Sequence, residues 1–392
     1  METVLRKLPS GIQDFEKLRT EGCLYVDKTQ YIYDLTRNSV PYFLSRPRRF
    51  GKSLFISTLK AYFLGKKELF EGLAIAELEK EWTTYPVIYI DISMGGGSDL
   101  SALKSVLNYK LKNYESKWGI SSKYDDLSVR FSSLIEAAAK KTGQKVVVLV
   151  DEYDKTLNNN MEESEKQEEI SRFLKGFYGV LKAMDYCLRF VFLTGLTKFS
   201  QMSTFGDMNQ FIDISMKEDY ADICGLSEKE LLQYFEPELR TLAVKTEKTY
   251  DETLAEMKKR YGGFRFAKTG DDIYNLNSVC DAFYDKHFGC HWFETGTPSC
   301  LINALKSGIY DISKLDKDVT IGVRAIDYYQ SGVTSIVPLL YKSGYLTIKS
   351  YNRHDQVFTL GFPNEEVKYS FLHQLVTVRP PVDCSAMFGS IL

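Results

Sequence analysis

The chain has 392 residues, 44% apolar and 26% charged, with 50 Lys+Arg against 52 Asp+Glu and a net charge of −2. That balance excludes collagen-like, low-complexity and dominantly disordered chains, and the length suggests two or three domains. No global basic field argues for nucleic acid, and the 26 Tyr and 24 Phe imply large, well-packed aromatic surfaces.

The longest clean apolar run, Val146–Val150, has five residues, against about 20 needed to span a bilayer. Residues 1–16 lack an apolar stretch of signal-peptide length. Seven cysteines (23, 187, 224, 280, 290, 300, 384) are scattered, odd in number and without a CxxC pair, which fits reduced thiols better than a disulfide framework. The expectation is a cytoplasmic protein with no membrane contact.

Over the first ~215 residues, short β-rich runs alternate with helical patterns, the rhythm of a parallel α/β sheet. Strands are expected at Tyr42–Ser45, Val87–Ile92, Val146–Val150, Phe190–Leu193 and Phe211–Ile214, and helices at Ser53–Phe63, 100–116 and 127–141. Val146–Val150 is apolar on both faces, as a strand covered by helices must be. Residues 94–99 (MGGGSD) read as a flexible turn. Past 216 the pattern turns helical. Ser227 and Glu230 form a capping box opening a helix, and residues 251–261 make another that ends at Gly262-Gly263. Strands Tyr345–Ile348 and Val357–Leu360 follow among helices, as in a small winged-helix-like module. The chain shows no internal repeats, and the tail from Val376 has no clear period and is expected to be poorly ordered.

The strongest chemical signal is Ser45-Arg46-Pro47-Arg48-Arg49-Phe50-Gly51-Lys52-Ser53-Leu54. A P-loop reads G-x-x-x-x-G-K-[ST] between a strand and a helix. Gly51, Lys52 and Ser53 match, while Arg46 stands where the first glycine belongs. Backbone N–H groups of residues 48–53 would cradle phosphate oxygens. Lys52 would reach the β- and γ-phosphates, and Ser53 would ligate Mg²⁺. Three cations, Arg46, Arg48 and Arg49, would flank the polyanion. The bland alternative is a basic turn capping a helix.

About 100 residues later the apolar run Val146–Val150 ends in Asp151-Glu152, a Walker B arrangement. Asp151 would hold Mg²⁺ and Glu152 would polarise the attacking water, since adjacent residues at a strand end point to opposite sides. In Phe190–Ser200, Thr194 is the first choice to sense the γ-phosphate or orient water, with Thr197 and Lys198 next. Arg48 and Arg49 could act in cis, and Arg265 as a sensor from the helical part. The cluster His287, Cys290, His291 and Cys300, with Cys280 nearby, fits no standard zinc spacing. Glu366-Val-Lys368 matches a nuclease E-x-K, but Pro363-Asn364 just before it reads as a helix start with Glu365 and Glu366 in the first turn.

These motifs resemble the AAA-ATPase-like family of bacterial P-loop ATPases. The resemblance runs through LPSGIQDFEKLR (8–19), YVDKT (25–29), FLSRPRRFGKSL (43–54), VIYIDIS (87–93), VLVDEYDKTL (148–157), FLTGLTKFS (192–200) and YADICGLSEKEL (220–231). It continues through YNLNSV (274–279), WFETGTPS (292–299), SGYLTIK (343–349) and LGFPNEEV (360–367). The family's loop also reads RPRRFGKS, so Arg46 is a family feature. Departures are Gly262-Gly263-Phe264, where relatives more often have Asp-Gly-Tyr, and Tyr274-Asn-Leu-Asn, where Tyr-Asn-Pro-Phe is usual.

The resemblance implies a P-loop ATPase core, a helical lid and a winged-helix-like module, expected at 1–216, 217–297 and 298–375, ahead of the disordered tail expected at 376–392. It implies the roles already given for Lys52, Ser53, Asp151 and Glu152, and places Asp27, Lys28 and Thr29 near the nucleotide base. Family members usually continue into a PD-(D/E)XK nuclease-like domain; only 25 residues follow Val367, so none is expected here. The expected function is Mg²⁺-dependent ATP binding and hydrolysis that regulates or remodels a macromolecular partner. The alternative is a low-turnover nucleotide switch or scaffold. A homo-oligomer and a protein or DNA partner stay open.

Overall fold

The computed structural model describes residues 6–93, 95, 98–120, 123–161, 163–196, 210–292, 301–302, 315, 318–326 and 335–378. Five parallel strands make the central sheet: β1 (Pro41–Ser45), β2 (Val87–Asp91), β3 (Val146–Asp151), β4 (Leu188–Gly195) and β5 (Ile212–Asp213). Their order, β2-β3-β4-β1-β5, inserts β4 between the strand feeding the glycine-lysine loop and the strand ending in Asp151.

Every residue of β3 is buried. Alternation sends Val147 and Leu149 into a cluster with Phe55, Ile56 and Leu59 of helix Lys52–Phe63. Val146, Val148 and Val150 face the other way, onto Leu107 of Leu100–Trp118, Phe131 of Leu127–Thr142 and Phe177 of Ser164–Ala183. Both faces of the sheet are thereby covered, an α/β architecture that explains the unbroken apolar run. The structure adds the helix Ser164–Ala183 to those expected, with Ile170, Leu174, Phe177 and Leu181 burying one helical face.

Beyond β5, helices Glu228–Lys245, Tyr250–Tyr261 and Leu276–Asp285 pack around Leu231, Phe235, Leu239, Met257 and Val279. Capping boxes at Ser227/Glu230 and Thr249/Glu252 open the first two. A short antiparallel pair, β6 (Leu226–Ser227) and β7 (Ile273–Tyr274), ties this block together. A three-stranded antiparallel sheet follows, in the order β8 (Val319–Gly322), β10 (Val357–Gly361), β9 (Thr347–Asn352). Tyr345 and Leu346, read as strand, lie ahead of β9 and enter the core. Asn364 Oδ1 accepts the Val367 N–H at 3.0 Å, and the final helix runs Glu365–Val378. It passes residue 376, where order was expected to end, because Phe371 and Leu375 still pack on the core.

The last sheet is bolted to the helical block. Asn364 Nδ2 donates to the Gly262 carbonyl at 2.7 Å, and the Arg265 N–H to Thr347 Oγ1 at 2.7 Å. Gly263, at φ +79°, passes so close that a Cβ would sit 2.2 Å from the Pro363 carbonyl oxygen. Only glycine fits there. Among the described residues, no helix is long and apolar enough to cross a membrane.

Candidate functional site at the carboxyl ends of the sheet

β1 ends at Ser45, a six-residue loop turns, and a helix begins at Lys52. The turn needs left-handed backbone at Arg49 (φ 67°) and Gly51 (φ 93°). Glycine adopts that freely; arginine is strained, as functional loops often are. Lys52 is buried, and its ammonium donates to the carbonyls of Arg46 at 2.7 Å and Pro47 at 2.9 Å. It forms no ion pair among the described residues. Burial lowers its pKa, and the charges of Glu152 and Asp151 oppose that shift.

β3 and β4 pair Val150 with Leu193, which sets Thr194 beside Asp151. The buried Thr194 hydroxyl donates to Asp151 Oδ1 at 2.5 Å, and its oxygen accepts the Glu152 N–H at 3.3 Å. Ser53, at the start of the following helix, comes near the same carboxylate and favours its charged form. Burial raises the Asp151 pKa, while Ser53, the Thr194 bond and the Lys52 charge pull it down. A buried carboxylate with two hydroxyl side chains close by is a set of hard oxygen donors, the kind magnesium prefers.

Glu152 sits at φ 52°, so the chain turns sharply after β3. Its Oε2 lies 3.5 Å from Lys155 Nζ. The buried Asp154 holds the turn by accepting the Leu196 N–H at 3.0 Å. Gly195 permits it, since a Cβ there would sit 2.6 Å from both Asp154 Oδ1 and the Tyr153 ring. Arg48, Lys52, Glu152, Asp154 and Lys155 enclose a cavity of about 20 Å³, room for roughly one water. Arg48 is half-buried there, with no hydrogen bond or ion pair among the described residues.

Lys52, Ser53, Asp151, Glu152, Thr194 and Arg48 therefore converge. Arg46 does not, and its reading as a third cation facing phosphate needs correcting. Its guanidinium donates to the carbonyls of Ser215 at 2.6 Å and Tyr220 at 2.8 Å, and lies over the Phe266 ring. A charge with so little exposure needs internal acceptors, and the carbonyls of Ser215, just past β5, and of Tyr220, in the turn that follows, supply them. Phe50 likewise packs among aromatic rings. Gly51 and Leu54 line a separate small cavity with Tyr25, Val26 and Cys224. Arg265, the suggested sensor, is held by Asp272 at 3.0 Å and the Lys349 carbonyl. Thr197, Lys198 and Cys300 lie outside the described residues.

The YVDKT segment reaches both halves of the chain. Asp27 accepts from Thr29 and from the Ala74 N–H, while Lys28 pairs with Glu230 at 2.6 Å. Glu366 is buried, with Oε1 accepting the N–H groups of His291 at 2.6 Å and Trp292 at 3.0 Å. Asp154 shapes the site without a motif of its own; the one signal for it in the sequence is an acid three residues after Asp151.

The family described as "Predicted AAA-ATPase" matches residues 9–205. The chain is 35% identical over 388 residues to the "Uncharacterized protein in vnfD 5'region" of Azotobacter chroococcum mcd 1, covering 97% of this chain and 72% of the relative. It is also similar to the solved structure of the Aeropyrum pernix ORC2 protein (ADPNP-ADP complexes), with a TM-score of 0.32, 10% identity, and coverage of 96% of this chain and 97% of that one. Length, coverage and identity of the first two matches establish that the chain belongs to the predicted AAA-ATPase family.

Proposed function

We propose that the chain binds ATP with Mg²⁺ at residues 48–53 and hydrolyses it. One observation supports this most: the Thr194 hydroxyl bonds the buried Asp151 carboxylate, which Ser53 also approaches, beside a buried Lys52 that holds carbonyls and, among the described residues, no carboxylate. Ser53 and Asp151 would hold the metal, whose charge would neutralise the phosphate oxygens. Lys52 exchanges its two loop carbonyls for phosphate, and Arg48 adds a second cation from the cavity wall. Glu152 takes the proton of the attacking water as general base. Thr194 keeps Asp151 oriented and favours its ionised form. We place the protein in the cytoplasm and assign hydrolysis to regulating a macromolecular partner, with 217–297 as the lid and 298–375 as the output module.

The low-turnover switch is the second reading. It is favoured by the closed loop, in which Lys52 is bound to backbone and the cavity admits little more than a water. Phosphate release with Mg²⁺-ATP, wild type beside Glu152→Gln, with calorimetric binding in parallel, separates the two. Turnover lost only in the variant, with binding retained, supports the ATPase. Binding without turnover in either protein supports the switch, and no binding refutes both.

A further inference from the structure

The phosphate loop carries three bulky residues that phosphate chemistry does not require, Arg46, Pro47 and Phe50. All three are buried against the C-terminal half of the chain. Arg46 is gripped by the carbonyls of Ser215 and Tyr220, and its guanidinium lies 4.5 Å from the centroid of the Phe266 ring. The Phe50 ring meets Phe264 at 4.8 Å and 77°, and Phe266 at 5.0 Å and 90°. Its carbonyl accepts the Gly225 N–H at 2.9 Å. Gly225, at φ +87°, allows this approach, because a Cβ would lie 3.0 Å from the Phe50 ring and 2.5 Å from Ile273. Pro47 faces Gly344 (φ +83°), where a Cβ would lie 2.8 Å from Pro47 Cβ and 3.0 Å from the Trp292 ring.

From Phe264, ring contacts continue to Trp292 at 5.7 Å, on to Tyr345 at 6.2 Å, and to Phe371 of the final helix at 5.4 Å. The two carbonyls that Lys52 holds belong to Arg46 and Pro47, the same residues clamped from the C-terminal side. Releasing Lys52 toward a phosphate frees those carbonyls to turn. Any such turn must shift the Arg46 guanidinium off its acceptors or Pro47 off Gly344. Close-packed contacts of this kind transmit small movements and do not absorb them.

We propose that Arg46, Pro47 and Phe50 are positioning residues that couple the phosphate loop to Phe264, Phe266 and Gly344. The coupling rests on the nucleotide reading above, and it is reciprocal. Nucleotide binding changes the packing around Trp292, and disturbing that packing changes nucleotide affinity. Arginine at the first loop position gives the C-terminal half a handle on the loop that glycine lacks.

Trp292 supplies the reporter. The chain has three tryptophans, so Trp82→Phe with Trp118→Phe leaves Trp292 alone. The full chain is titrated with Mg²⁺ and a non-hydrolysable ATP analogue, following emission and calorimetric heat together. The two signals should share a midpoint. Phe50→Leu and Gly344→Ala should each change the affinity by about fivefold or more, the lower range of measured coupling energies, and reduce the Trp292 response. Arg46→Lys, which keeps charge and stem but cannot bridge the carbonyls, should do the same and covers the case in which Gly344→Ala does not fold. Analogue binding with flat Trp292 emission, and affinities within twofold of wild type in all variants that fold, would overturn the coupling alone. No binding to the wild-type protein would overturn the nucleotide reading and the coupling with it.

Discussion

Thr194 Oγ1 lies 2.5 Å from Asp151 Oδ1, joining two buried residues that are 43 positions apart in the chain. The parallel pairing of β3 with β4 makes this contact, and the hydroxyl also holds the N–H of Glu152. Thr194 therefore orients both acids at once: one through its side chain, the other through its backbone.

Thr194→Val keeps the shape of the side chain and removes its hydroxyl. It leaves a buried carboxylate and a backbone N–H short of a partner, which should cost about 1–3 kcal/mol of stability. Phosphate release should fall with it, since Asp151 and Glu152 lose a common anchor. Thr194→Ser should restore most of both. Urea unfolding and a phosphate-release assay on the two variants check this, and a Val variant as active as wild type would refute the orienting role.

Gly195→Ala tests the turn that aims Glu152. The new Cβ would meet Asp154 Oδ1 and the Tyr153 ring, each at 2.6 Å, so something must shift. Overpacking at a tight site costs about 1–3 kcal/mol, and here the displaced groups shape the Glu152 turn. The unfolding midpoint should drop and turnover should fall further than in an exposed helical glycine variant such as Gly176→Ala, where a Cβ meets only Ser128 Oγ at 3.9 Å.

Much of the sheet was legible because its signals are local. Val146–Val150 is apolar at every position since helices cover both faces, and the loop, strand and acid motifs lie within short stretches. What stayed hidden depends on distant residues. The Arg46 guanidinium reads as a phosphate ligand until the ends of β5 and the following turn bring their carbonyls to it. Arg265 reads as a free sensor until Asp272 and Lys349 occupy it. Thr194 was legible as the polar end of a strand, but its bond to Asp151 required the strand order. The helix Ser164–Ala183 was overlooked because its first turns are charged and its apolar stripe starts only at Ile170.

Lys52→Met should move stability and binding in opposite directions. Among the described residues the buried ammonium is paired with neutral carbonyls, and burial already lowers its pKa. Replacing it with an unbranched apolar chain should leave the free protein as stable or about 1 kcal/mol more so, as happens when a functional charge is removed from a strained site. The thermal stabilisation given by Mg²⁺-ATP should vanish; for the wild type it amounts to about 2.7 kcal/mol at a hundredfold excess over Kd. A variant that loses stability without ligand would show that Lys52 is structural.

Glu366 gives the chain a pH dependence of definite sign. Burial raises its carboxyl from 4.5 to about 7, with the nearby Asp281 adding to the shift and the His291 and Trp292 N–H groups opposing it. Between those values the folded protein keeps the proton that the unfolded chain has released. Stability therefore falls as pH rises through that window, by about 1.4 kcal/mol per unit, and is flat on either side. Glu366→Gln should remove this component without disturbing the contacts, because Oε1 accepts both N–H groups and an amide oxygen can do the same. Denaturant unfolding at pH 5 and pH 8 checks it. The wild type should lose about 3 kcal/mol more than the variant between the two, and the variant should be the more stable protein at pH 8. Equal losses would mean that Glu366 is ionised throughout, and its two backbone bonds would then be the charge-assisted anchor of the final helix.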